Sequence, residues 1–280
     1  MSFNLLQGFG CPPRIGLVLA AVTLHCHEAF IAGQERNGRD MTGQIKGLLF
    51  DKDGTLLDFD ATWGQWATRF LSDLAQGDTK LFARLSDAVG FQPESTSFHP
   101  HSPVIAGTAD VAIDLLHPLV PHWDWQELMN HANEMALNAD LTPPCPLPDL
   151  FDRFDAMGLV LGVATNDTES AAHMHMRKLG VEGRFARILG FDSGFGGKPA
   201  PEMLWAFSNQ CGLAPNEVAM IGDSTHDLHA GRNAGMICVG VLTGPATRAD
   251  LEPHADVVLQ SVADIPDWLA TGPLYSKNDP

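Results

Sequence analysis

From Leu150 onward, short apolar runs alternate with amphipathic stretches, a pattern that few folds other than stacked βαβ units can satisfy. The spacing predicts helices over 150–157, 168–179, 201–211, 225–234 and 262–269. Between them it predicts strands over 159–164, 187–189, 218–221, 236–241 and 256–259. Residues 45–50, a brief apolar run closed by Asp51, read as one more buried strand. The implied class is α/β, with a parallel sheet covered on both faces and joined by right-handed crossovers. Ligands of such sheets bind at the carboxyl ends of the strands, so chemistry is sought there.

The remaining segments differ in character. After Asp58 the pattern is helical for about ninety residues, with helices expected over 61–74, 80–89, 109–116 and 125–139. Gly90, Pro93, Pro100, Pro103, Pro118 and Pro121 divide them, and Pro143, Pro144, Pro146 and Pro148 read as a semi-rigid hinge out of the segment. Residues 1–40 show no sustained periodicity and read as an irregular extension. Met41 is the expected start of the folded, or even the translated, protein; an intact mass matching all 280 residues would refute the translational half. The expected organisation is an extension over 1–40, a core from 41–59 with 147–280, and a helical insertion over 60–146.

With 34 acidic and 17 basic side chains, the net charge of −17 disfavours phosphate backbones and anionic membrane surfaces. No basic run longer than Arg177-Lys178 offsets it. Cys11, Cys26, Cys145, Cys211 and Cys238 are odd in number and widely spaced, which points to neither a disulfide framework nor a zinc knuckle and suits a reduced, cytoplasmic setting. The apolar run 15–24 is too short to span a bilayer, and no small-x-small cleavage site follows it. His25, Cys26, His27 and Glu28 are adjacent and point in different directions, so no metal site is expected there.

At the end of the first strand stands Asp51-Lys52-Asp53-Gly54-Thr55. Its two carboxylates can face one point, although Asp and Gly equally suit a solvated turn. Thr165-Asn166-Asp167 closes a second strand, where a hydroxyl and helix-initiating N–H groups can hold an anion and where Asn166 or Asp167 can also simply cap the helix. Lys198, after Gly196-Gly197, either reaches inward to a phosphate or lies in solvent. Asp223 ends the next strand, and Asp227, one helical turn on, either returns to its side or pairs with Ser224 as a cap. Taken together, four strand ends of one sheet bring Asp/Asp, Thr, Lys and Asp/Asp to one edge, a set suited to Mg²⁺ and a phosphoryl group.

On these residues the chain resembles the haloacid dehalogenase superfamily of phosphohydrolases, and within it the phosphoglycolate-phosphatase-like branch. The motifs occur in order: DKDGT at 51–55, Thr165, Lys198 and GDSTHD at 222–227. The resemblance implies a Rossmann-like core with an inserted helical cap and an Mg²⁺ cofactor. It assigns Asp51 as nucleophile and Asp53 as general acid and base. Asp51, Asp223 and the Asp53 carbonyl would ligate the metal, with Asp227 nearby or acting through water. Thr165 and the Asn166 N–H would hold phosphate oxygens, and Lys198 would neutralise charge between Asp51 and the phosphoryl group. Lys52 stands where many relatives carry an apolar residue; strand alternation predicts that it faces away from its neighbours, and no catalytic role is expected.

Asp53 favours phosphoester chemistry over dehalogenation, because a departing alkoxide needs a proton and a halide does not. The expected function is Mg²⁺-dependent hydrolysis of a small phosphorylated metabolite, with phosphoglycolate first by resemblance. A β-phosphoglucomutase-type phosphomutase and a non-catalytic binding module are the alternatives, and a cap-mediated homodimer is the prior for assembly. Arg69, Lys80 and Arg84, the basic residues of 60–146, are candidates to meet a substrate anion, or else cover exposed helix faces. His99 and His101 are candidate loop donors, His173 and His175 carry no expectation, and Trp63, Trp66, Trp123 and Trp125 read as packing rather than a ligand cage.

Overall fold

The computed structural model describes residues 45–99, 102–105 and 109–271. The chain divides into two units, residues 1–41 and 42–280, and every described residue belongs to the second. The expectations for the extension, Met41, Cys11, Cys26, the run 15–24, the cluster at 25–28, Pro100 and His101 lie outside the described residues.

Strand β1, Gly47–Phe50, is followed by a π-helical turn at Asp60–Gly64 and by helices α1 (Gln65–Ala75) and α2 (Thr79–Val89). A two-residue hairpin, β2 (Phe91–Gln92) and β3 (Ser97–Phe98), precedes α3 (Ala109–Leu116) and α4 (Trp125–Leu137). The alternating part runs α5 (Leu147–Ala156), β4 (Val160–Ala164), α6 (Glu169–Lys178), β5 (Arg187–Leu189), α7 (Glu202–Cys211), β6 (Val218–Gly222) and α8 (Thr225–Ala234). Strand β7 (Ile237–Val241), α9 (Arg248–Leu251), β8 (Val257–Leu259) and α10 (Ile265–Thr271) complete it.

Six strands form one parallel sheet, as the alternation predicts, and their order is β5-β4-β1-β6-β7-β8. Side chains of a strand alternate between faces, and two cores follow from that period. Leu48, Phe50, Val163, Ile221 and Val239 pack against Phe151 and Phe154 of α5 and Met176 of α6. Leu49, Ala164 and Met220 pack on the other side against Leu204 and Phe207 of α7 and Ala230 of α8. With both faces covered, the strands carry apolar residues almost without interruption.

The helices between β1 and α5 bury a third core of their own, built on Phe70, Leu71, Leu85, Phe98, Ile113 and Leu128. Asp78 and Asp124 cap α2 and α4, each carboxylate accepting two backbone N–H bonds that the first helical turn leaves unpaired. Entry and exit of this segment run side by side: the Asp58 N–H donates to the Thr142 carbonyl at 2.8 Å, and the Thr142 N–H to the Thr62 hydroxyl at 3.1 Å. No helix among the described residues is long and apolar enough to cross a membrane.

Candidate active site

The register of the sheet brings the motif residues together. Phe50 is aligned with Val163 of β4 and with Ile221 of β6, so Asp51, Thr165 and Asp223 leave neighbouring strand ends within two residues of that line. The Asp51 N–H donates to the Ile221 carbonyl at 2.8 Å, which extends the pairing one residue and fixes where its carboxylate emerges. β1 and β6 flank the point where the strand order reverses, the place at which open α/β sheets bind ligands.

Lys198 arrives from the loop after β5 and is buried rather than solvated, its ammonium 2.7 Å from Asp51 Oδ1 and 2.6 Å from Asp227 Oδ1. Asn166 pins that loop: its Oδ1 accepts the Lys198 N–H at 2.8 Å and its Nδ2 donates to the Lys198 carbonyl at 3.0 Å. Asp227 fulfils both readings at once. Its Oδ2 accepts from the Ser224 N–H (3.0 Å) and hydroxyl (2.6 Å) in a capping box, while Oδ1 faces Lys198. Thr165 is buried and its hydroxyl accepts the Asp167 N–H at 3.1 Å. The cap of α6 is Thr168, which accepts the Ala171 N–H, so neither Asn166 nor Asp167 has that role.

Gly54, expected to allow a tight turn, and Thr55 and Gly244, which carried no role of their own, shape the place of Asp223. The Thr55 hydroxyl donates to its Oδ1 at 3.1 Å. Gly54, at φ +82°, and Gly244 press against the same carboxylate: a Cβ there would lie 2.3 Å and 1.8 Å from Asp223 Oδ2. The Thr243 hydroxyl ties the two turns by donating to the Gly54 carbonyl at 2.7 Å. Thr243 and Gly244 follow the carboxyl end of β7, so their signal in the sequence is the same strand-end position that marks Asp51 and Asp223.

Carboxylate oxygens of Asp51, Asp223 and Asp227 all lie within 4.8 Å of one another. Burial pushes the Asp51 carboxyl up to about 7, opposed by the Lys198 ammonium and reinforced by Asp227 and Asp53. Burial and the charges of Asp227 and Asp51 likewise hold Asp223 well above the usual carboxylate range. Burial works against the charged form of Lys198, but Asp227 and Asp51 overcome it and raise its pKa. Three buried acids around one ammonium are short of positive charge, and hard oxygen donors in this number fit a divalent cation such as Mg²⁺.

Lys52 does not face away from its neighbours as strand alternation predicts. Its side chain is fully buried and its ammonium stands 2.6 Å from Asp53 Oδ2, 3.1 Å from Asp167 Oδ2 and 3.2 Å from His175 Nδ1, with the Trp63 ring 5.4 Å away. The chain has left the strand at Asp51 and turns back on itself, so a period of two no longer assigns faces. Burial opposes the charge on Lys52, and the carboxylates of Asp53 and Asp167 more than offset it. His175, moved down by burial and by Lys52, is thus a member of the network. Asp53 also accepts the Trp63 indole N–H at 2.8 Å, which joins it to the first turn of the helical segment.

A cavity of about 410 Å³ extends from Asp51, Thr165 and Lys198 into that segment, where Trp63 and Trp66 line it. Trp123 and Trp125 do not, packing instead on His131 and bonding Asp114. Arg69, Lys80 and Arg84 are exposed and none lines the cavity; Arg69 pairs with Asp140 at 3.1 Å. His99 does not line it either.

The chain is 29% identical over 233 residues to the N-acetylmuramic acid 6-phosphate phosphatase of Pseudomonas aeruginosa, covering 81% of this chain and 95% of that protein. It is 32% identical over 236 residues to a phosphoglycolate phosphatase of Yersinia pestis, covering 79% and 91%. Among solved structures, CbbY from Rhodobacter sphaeroides in complex with phosphate superposes with a TM-score of 0.56 at 18% identity, covering 79% and 96%, a likeness of fold. The model of the haloacid dehalogenase-like hydrolases matches residues 48–241, the stretch that contains every motif residue above, and the chain belongs to that family.

Proposed function

We propose that this protein is an Mg²⁺-dependent phosphatase that hydrolyses a small phosphomonoester through an aspartyl-phosphate on Asp51. The observation that carries the reading is the buried contact of Lys198 with both Asp51 and Asp227, beside Asp223, at the reversal point of the sheet. An Asp51 oxygen forms the new bond to phosphorus as the ester P–O bond breaks, and the departing alkoxide takes its proton from Asp53. Water then attacks the acyl phosphate, its proton passes to Asp53, and phosphate leaves with Asp51 regenerated. Lys198, with Thr165 and the Asn166 N–H, holds the phosphoryl oxygens.

Asp51, Asp223 and the Asp53 carbonyl would hold the Mg²⁺, with Asp227 supporting them, and the ion would supply the positive charge that this acidic site lacks. The described residues of 60–146 form the cap that closes the site to water, over a core made by 45–59 and 147–271. Asp51→Asn tests the reading: phosphate release from p-nitrophenyl phosphate in Mg²⁺ falls to background while the thermal midpoint is kept. Wild-type-like turnover in this variant would discard the mechanism.

A further inference from the structure

The cavity above the phosphoryl site is walled on the side of the helical segment by Trp66, Phe70, Ile105, Ile113, Leu116 and Met129. Lys198 is the only cation among the described residues lining it, and it stands at the opposite, carboxylate-rich end. Among the described residues, the charged group that the helical segment contributes is an acid, Asp110. An anionic substituent carried into this space would lose its hydration without gaining a cationic partner, whereas hydrocarbon would leave water for an apolar wall.

We infer that the phosphomonoester this site takes has an uncharged, largely apolar alcohol part, the size of a ring or short chain, and that phosphoglycolate, with its carboxylate, is a poor substrate. The inference rests on the phosphatase reading and adds the substrate class. It follows from one continuity: the same cavity that begins at Asp51 and Lys198 ends mainly among aromatic and aliphatic side chains, with Asn133 and Asp110 as the polar groups there, so a substrate with its phosphate at Asp51 must direct its alcohol part into them.

The test is kcat/KM for ethyl, butyl and hexyl phosphate, whose leaving groups are chemically alike, alongside phosphoglycolate, which has the two-carbon length of ethyl phosphate with a carboxylate in place of the methyl. The expected result is a rise of about fourfold per methylene until the cavity is filled, from the transfer value of a buried methylene. Phosphoglycolate should fall about tenfold or more below ethyl phosphate, from the cost of burying an unpaired charge. Ala112→Arg adds a cation to the lining of α3, and it should raise the phosphoglycolate-to-ethyl phosphate ratio about tenfold.

A flat chain-length series, a preference for phosphoglycolate, or an unchanged ratio in a folded Ala112→Arg protein would overturn the inference while sparing the phosphatase reading. Turnover of none of these esters, nor of p-nitrophenyl phosphate, would remove the reading itself and the inference with it.

Discussion

At the scale of single residues, the site is a problem of uncompensated charge. Asp51 and Asp223 are buried among acids with one ammonium between them, and both hold their protons more tightly than an exposed carboxyl. In the folded, metal-free protein the Asp51 pKa of about 7 lies above its ordinary value of 3.8, so folding binds a proton and stability is lost as pH rises between these values. A bound divalent ion favours the ionised carboxylates, so the upshift of thermal midpoint on adding Mg²⁺ should grow from pH 5.5 to pH 8. An equal or larger shift at pH 5.5 would contradict it. Lys52 offers a second prediction. Its ammonium bonds both oxygens of Asp53, so Lys52→Met should slow an alkyl phosphate by about a hundredfold, within the usual range for general acid catalysis. With p-nitrophenyl phosphate, whose leaving group needs no proton, the loss should be much smaller; equal losses on both substrates would argue against positioning of Asp53. Asp51, Lys198 and Asp223 were legible because strand ends and spacing locate them. Lys52 was not, because its neighbours Asp167 and His175 come from α6 and its flank, more than a hundred positions along the chain.

At the scale of elements, legibility followed periodicity. Strand 187–189 and helix 225–234 stand where the spacing puts them, since each buries a regular apolar pattern. The hairpin β2–β3 went unread because two-residue strands carry no period, and Gln92 and Ser97 are polar. The proline cluster reads as a hinge, yet α5 begins at Leu147 with Pro148 in its first turn, where the missing N–H has no intrahelical partner to lose. Caps were read only in part: Ser224 with Asp227 caps α8, but Thr168 rather than Asn166 or Asp167 caps α6, and Asp78 and Asp124 carried no reading. Asp78 accepts the N–H groups of Lys80 and Leu81 at 2.9 and 3.1 Å and touches nothing in the cavity. Asp78→Ala should therefore lower the urea-derived stability by about 1 kcal/mol, the usual cost of a lost N-cap, while leaving kcat unchanged. A fall in kcat without a fall in stability would show that α2 does more than hold the segment together.

At the scale of the whole molecule, the acidity that disfavours nucleic acid also sets the terms of the chemistry. The segment 60–146 carries eleven acidic and three basic side chains, so it contributes nothing that would draw an anion toward the sheet. Attraction must arise at the strand ends, where Lys198 and a divalent ion would reverse the local sign, and that ties the fold to its reaction: the sheet order places Asp51 beside β6, and its nearest strong neighbours are Lys198 and the acids of β6 and α8. Covalent transfer to Asp51 is the step on which the proposed hydrolysis depends. Acid quenching during steady-state turnover, followed by mass spectrometry of the digested protein, measures that transfer directly. The expected result is a phosphoryl group on the peptide containing residues 47–58, absent from Asp51→Asn; a phosphoryl group on any other residue, or turnover by Asp51→Asn, would contradict it.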